Sequence, residues 1–302
     1  MSTFGIVYIA KNQHRLLQIE NAEYQQLVQA GLVDHFQLLV EEKYQILLQN
    51  YEELELELLR VSLVLTVYTN PSGRDISDNR MRLDRRVLNF LSSTRMYLDQ
   101  VPTALRSAAR VSAPIIERFH KSRAVCFDLR LSYRVCEALR NYAQHRDLPV
   151  HEFHFGWRRD GEDTDGPVTS FTGLKLDLAL LKKDSLFKPE TLAELEATDN
   201  KHDLKQLLRD YMNCLGAIHV DLRKALEEDS KWALGILTLA RQRAYALPEA
   251  QDNYDISVVE VNDDDIWKDR TYLPRVRFER RKELQHRSAT PPDMSTMRLS
   301  SE

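Results

Sequence analysis

Arg140-Asn141-Tyr142-Ala143-Gln144-His145 is the stretch of this chain whose residue types and spacing point to chemistry. An arginine, a polar residue beside it and a histidine five positions on put a fixed cation and a titratable imidazole near one helix end. That pairing suits phosphodiester chemistry. Guanidinium stays charged at any working pH and grips phosphate with a planar fork of donors. Imidazole takes or gives a proton near pH 7.

The spacing alone is common. It recurs at Arg146/His151 and Arg281/His286, and about one chance match is expected in a chain of this length. Context ranks the three. Pro149 breaks any helix across the second, and the third lies in a polar tail. The first closes a segment from Ala124 to about His145 that reads as one amphipathic helix, with Phe127, Leu131, Val135, Ala138 and Tyr142 as its apolar stripe. Arg130, Arg134, Glu137, Asn141 and His145 recur at the same steps on an adjacent face. Such a polar line is ordinarily a solvated surface, but two arginines, an asparagine and a histidine suit an anionic ligand better. Arg140, His145 and Asn141 are the candidate catalytic set, and Arg130, Arg134 and Arg146 the candidate substrate-binding cations.

With its flanks, Leu139-Arg140-Asn141-Tyr142-Ala143-Gln144-His145-Arg146 resembles the signature of the HEPN superfamily of helical domains. That signature is an arginine, a polar residue, three further residues and a histidine at the end of the last core helix. Leu148-Pro149-Val150-His151 resembles the exit of some bacterial members, and Asn89-Phe90-Leu91-Ser92-Ser93-Thr94-Arg95 stands where such domains carry a helix facing the motif. The resemblance covers about Leu32 to Pro149.

It implies metal-independent cleavage of RNA without a cofactor. His145 would move a proton at the ribose 2′-hydroxyl or the leaving oxygen, Arg140 would neutralise the scissile phosphate, and Asn141 would orient phosphate or imidazole. One histidine does not easily serve as acid and base at once, so the resemblance also implies a homodimer whose motif helices share one cleft. Proteins of this kind are often toxins or effectors in prokaryotic toxin–antitoxin or anti-phage systems, which adds an antitoxin or other regulatory protein to RNA as an expected partner. The alternative is a non-catalytic HEPN-like module for dimerisation, nucleotide binding or protein interaction. In that reading Arg140 and His145 share a buried hydrogen bond that ends the helix.

No other chemistry competes. The chain has no glycine-rich phosphate loop, no Gly-x-Ser-x-Gly elbow and no paired-cysteine zinc motif. His151 and His154 fall on opposite faces of an alternating segment, which disfavours a metal; His151 groups instead with Phe153, Phe155 and Trp157. The acidic runs Glu162-Asp163-Thr164-Asp165 and Asp263-Asp264-Asp265 lack calcium-loop spacing and read as solvated loops. Arg275, Arg277, Arg280, Arg281 and Lys282 form a basic end able to meet RNA or a partner. A net charge of −4 leaves no global basic field, so nucleic acid would be met by a local patch.

A chain of 302 residues with 43% apolar residues, 9 Gly and 10 Pro is long enough for a full core and reads as helix-rich and globular. Cys126, Cys136 and Cys214 have no metal-type spacing; the first two read as small buried residues in a reducing compartment. No secretory leader opens the chain, and its longest apolar run, Val61 to Tyr68, is short of a bilayer span. A cytoplasmic protein with no membrane contact is expected.

The periodicities predict a strand over Phe4–Ala10, a helix over His14–Ala30 ended by Gly31, and a very long helix from Asp34 to about Tyr68 with Tyr44, Leu47, Tyr51, Leu54, Leu58 and Val61 inward. Asn70-Pro71-Ser72-Gly73 stops it, and a polar loop leads to a helix from about Arg80 to Gln100 carrying Leu83, Val87, Phe90, Leu91 and Leu98. Val101-Pro102 ends that helix, and Ser112-Ala113-Pro114 breaks the next. Val150–Arg158 and Val168–Leu181 predict a hairpin, Lys188, Leu204–Leu226 and Ser230–Tyr245 helices, and Ile256–Val261 and Tyr272–Phe278 strands. The fold expected is mainly α: a HEPN-like up-and-down bundle with an α+β extension. Its divisions are 1–31 (strand and helix), 32–149 (bundle), 150–282 (extension, with a small antiparallel sheet) and 283–302 (disordered tail).

Overall fold

Lys11 and Asn12, with φ of 49° and 57°, form a two-residue turn between β1 (Thr3–Ala10) and β2 (Gln13–Ile19). Left-handed backbone at both positions is what a tight hairpin with the strand's own twist requires. The first part of the helix expected over His14–Ala30 is therefore a strand, paired from Phe4↔Ile19 to Ala10↔Gln13, while its second part, from Asn21, is helical as expected. In the computed structural model, which describes residues 3–68, 70–108, 113–159, 168–185, 187–198, 203–252, 254–262, 267–290 and 293–296, the protein is mainly helical with a small antiparallel sheet.

Helix α1 (Asn21–Val67) runs unbroken through Gly31, which caps nothing. A Cβ at Gly31 would collide with the Leu273 side chain, so the glycine lets a strand approach the helix closely. Helix α2 (Gly73–Ser107) starts earlier than the expected polar loop allows. Ser72 Oγ accepts from Asp75 N–H at 3.2 Å and Asp75 Oδ2 accepts from Ser72 N–H at 2.9 Å, a reciprocal cap that nucleates the first turn. The helix also continues past Pro102. Pro102 leaves the Leu98 carbonyl without its helical donor, and Arg123 Nη1 supplies one at 3.3 Å.

The helix expected over Ala124–His145 is two: α3 (Ala113–Leu129) and α4 (Leu131–His145), parted by Arg130 in extended backbone. Strands β3 (Glu152–Arg159) and β4 (Val168–Lys175) pair as the expected hairpin, Phe153↔Leu174 and Trp157↔Ser170. The second strand stops short of Leu181 because Asp177 Oδ1 accepts from Ala179 and Leu180 N–H and starts α5 (Leu178–Leu181). There follow α6 (Pro189–Ala197), α7 (Leu204–Ala225), α8 (Glu227–Tyr245), β5 (Ile256–Val261), β6 (Trp267–Leu273) and α9 (Arg275–Arg287). The strand expected over Tyr272–Phe278 ends at Leu273. Pro274 caps α9, which carries ordered backbone beyond Lys282, where a disordered tail was expected. The strands form one sheet of order β2-β1-β5-β6 and a separate β3-β4 hairpin. Among the described residues no helix is long and apolar enough to cross a membrane.

The chain forms two compact units. One comprises Met1–Lys43, Asp99–His120 and Val220–Ala289; there Ile6, Leu27, Val33, Leu237, Val258 and Leu273 close the core between sheet and helices. The other comprises Tyr44–Leu98, Lys121–His219 and Thr290–Glu302. Its core is the pair of stripes read from the sequence, Tyr44 to Val61 on α1 and Leu83 to Leu98 on α2, joined by Leu139 of α4 and Tyr211 of α7.

In the first unit, α9 is held on α1 by buried charge. Arg281 Nη2 lies 3.3 Å from Asp34 Oδ1 and its Nη1 donates to Ser230 Oγ at 2.7 Å. Nearby, Arg223 of α7 grips Glu41 of α1 with two bonds of 2.9 and 2.6 Å. Burial pushes Asp34 up and Arg281 down from their ordinary pKa values, and the attraction between them offsets this only in part. Removing one member therefore strands the other. Arg281→Leu is expected to destabilise the protein by about 3–5 kcal/mol in urea denaturation, and the double variant Asp34→Leu/Arg281→Leu to recover most of that loss. Equal losses in both would show that the charge pair is not what holds α9.

Candidate functional site

Helix α4 points Tyr133, Val135, Cys136, Leu139 and Tyr142 into the second unit and leaves the face of Asn141 and His145 outside. Asn141 and His145 are four residues apart, so they stack on one face of the last turn. Arg140 starts on a neighbouring face, but its Nη1 donates to Asn141 Oδ1 at 3.0 Å, which draws the guanidinium toward that stack. All three candidate catalytic residues lie in the last turns of α4, with Asn141 and His145 exposed and Arg140 half-buried. Among the described residues, Arg140 Nε is buried without a hydrogen-bond partner. His145 is exposed.

The candidate substrate-binding cations do not act alike. Arg134 is occupied: Nη1 donates to the Phe127 and Asp128 carbonyls at 2.6 and 2.9 Å, and Nη2 meets Glu194. It caps the end of α3 and is only 14% exposed, which removes it from an anion-binding face. Arg146 is half-exposed, with Nε 3.0 Å from Asp184 Oδ2. Arg130 is exposed in the break between the helices. The fourth polar position, Glu137, accepts from Tyr211 Oη at 2.6 Å and pairs with Arg95 at 3.4 Å. The α2 segment around Arg95 therefore meets α4 upstream of the motif.

The motif's exit is held by two residues the sequence reading passed over. Asp84 Oδ1 accepts from Val150 N–H at 2.9 Å, and Arg80 Nε donates to the Val150 carbonyl at 3.1 Å. Both sit on α2, one turn apart, and clamp the backbone just after Pro149. The i,i+4 Arg/Asp spacing was visible but reads as a surface pair; only burial gives it meaning. His151, next in the chain, accepts at Nδ1 from Asp177 N–H at 2.9 Å. The neutral ring then carries its proton on Nε2, which is buried without a partner. Burial pushes His151 below the usual histidine range. Its ring meets Tyr142 edge-on at 5.4 Å, while Phe153, Phe155 and Trp157 continue the aromatic face along β3.

Exposed His154 bonds Glu152 at 3.1 Å. Among the described residues no three His, Cys, Asp or Glu converge to hold a metal ion. The runs Glu162–Asp165 and Asp263–Asp265 lie outside the described residues. Of the basic end, Arg281 is buried, and Arg275 and Arg280 pair with Glu279 and Glu283 along α9.

Burial pushes Asp84 up to about 6, with Asp147 adding to the rise and Val150 N–H and Arg80 opposing it. A carboxyl that holds its proton more tightly in the folded state favours folding below about pH 4, and that contribution fades as pH rises through about 6. Asp84→Asn keeps an acceptor for Val150 and carries no charge. Its stability relative to wild type is expected to climb between about pH 4 and pH 7, read as denaturation midpoints; parallel curves would place Asp84 outside this account.

Compared with protein families, with curated proteins and with solved structures, the chain matches none.

Proposed function

We propose that the exposed end of α4 is the centre of a metal-independent endoribonuclease of HEPN type. The observation that carries this reading is the arrangement of Arg140, Asn141 and His145. The guanidinium bonds Asn141, which shares a helix face with the exposed imidazole of His145. A buried hydrogen bond between Arg140 and His145, which the non-catalytic alternative needs, is not what Arg140 makes: its partner is Asn141.

The chemistry follows from the groups. The ribose 2′-oxygen attacks the adjacent phosphorus, the 5′-oxygen leaves, and a 2′,3′-cyclic phosphate forms. His145 takes the proton from the 2′-hydroxyl or delivers one to the leaving oxygen. Arg140 lies beside the phosphate and neutralises the charge that builds on its non-bridging oxygens. Asn141 positions Arg140. A second proton carrier is supplied by a second copy of the chain, whose α4 end faces the first. Arg130 and Arg146 are the exposed cations that extend the site along the RNA backbone.

Cleavage of a mixed RNA pool by the purified protein in EDTA tests this. Wild type is expected to cut in the chelator, and His145→Ala to lose about 10²- to 10⁴-fold in rate, with a comparable loss for Arg140→Ala. Both variants are checked for wild-type circular dichroism. Inert wild type, or equal cleavage by all three proteins, would leave the non-catalytic module as the better account.

A further inference from the structure

Of the three cysteines, Cys136 is fully buried, and its thiol donates to the Leu207 carbonyl at 3.7 Å. The other two differ. Cys126, in the last turns of α3, is half-buried rather than enclosed as expected, and its Sγ donates to the Cys214 carbonyl on α7 at 3.9 Å. Cys214 is 6% exposed. One thiol is open to a small reagent, and the other waits behind it on a different helix. They are 88 residues apart in the chain.

We propose that Cys126 and Cys214 are an oxidation site, at which a hydroperoxide oxidises Cys126 and Cys214 resolves the product to a disulfide between α3 and α7. The side chains around the pair favour this division of roles. The neighbouring Cys214 side chain holds Cys126 below the ordinary cysteine range; burial opposes this and Arg130 adds to it. The same contact and burial push Cys214 well up. Thiolate character and access select the attacking cysteine, and both belong to Cys126.

The steps balance. Cys126 sulfur attacks the outer peroxide oxygen, the O–O bond breaks, and the remaining alkoxide takes a proton to leave as alcohol. Cys126 is then a sulfenic acid, oxidised by two electrons. Cys214 sulfur attacks the Cys126 sulfur as its own proton passes to the departing hydroxyl, which leaves as water. The disulfide ties the end of α3 to α7 immediately before Arg130, where the chain turns into α4. The proposal is independent of what α4 does.

The test is hydrogen peroxide treatment of the full chain, followed by alkylation under denaturing conditions and peptide mapping. The expected result is one alkylated thiol, Cys136, with Cys126 and Cys214 in a single linked peptide that dithiothreitol releases. Cys214→Ser is expected to stop at a Cys126 sulfenic acid captured by a cyclic 1,3-dione. Arg130→Gln is expected to slow the wild-type reaction several-fold. Three alkylated thiols in wild type at a dose that oxidises free cysteine would overturn the proposal, as would a link through Cys136 or between two chains. Wild-type mapping alone decides it should a variant fail to fold.

Discussion

Carbonyls at helix ends and breaks without a backbone donor are the constraint on which this structure turns, and arginine is the group that answers it. Where α3 stops at Leu129, its last carbonyls have no helical partner; Arg134, on the helix that follows, donates to two of them. Where Pro102 removes a donor from α2, Arg123 replaces it at Leu98. Where the chain leaves α4, Arg80 takes the Val150 carbonyl. In the other unit Arg241 and Arg223 do the same for Leu273 and Ser288. A guanidinium has five donors in a rigid fork and keeps its charge when buried, so one side chain can serve a carbonyl and a carboxylate together. Arg134 and Arg223 each do so.

This use of arginine also bears on partners. With a net charge of −4, any anion-binding surface must come from cations the fold has not already engaged. Arg134 shows how a sequence pattern misleads here. It falls on the same polar line as Arg130 and His145, yet its guanidinium points back at α3. Solvent-facing spacing and carbonyl-capping spacing look alike in one dimension.

Much of the architecture was legible because it is local. The stripes Tyr44–Val61 and Leu83–Leu98 are buried as their periodicity requires, and the β3-β4 hairpin follows from alternation. The departures share a cause: each depends on a partner distant in sequence or on unusual backbone. The β1-β2 turn uses Lys11 and Asn12 where a glycine would have signalled it. Pro102 ends a helix only if nothing takes the Leu98 carbonyl. The break at Arg130 needs Arg134 folded back, and α9 needs Asp34, whose buried charge is visible only once α1 and α9 are together. At the candidate site the motif itself was legible, whereas the Arg80–Asp84 clamp was not.

Arg134 and Arg140 lie six residues apart on the same helix and differ in what their donors reach. Arg134 has two carbonyls and a carboxylate, and deleting it would leave the end of α3 bare. Among the described residues Arg140 bonds the neighbouring Asn141 side chain, and its Nε is buried with no acceptor. A buried donor left unmade costs about 1–3 kcal/mol. An aliphatic residue at 140 would remove that cost and with it the hydrogen bond to Asn141. Arg241 in the other unit carries the same cost, its Nε buried without an acceptor among the described residues while Nη2 serves the Leu273 carbonyl. An unmade bond at Nε thus accompanies a guanidinium held through its Nη atoms, Arg241 by a backbone carbonyl and Arg140 by the side chain that follows it.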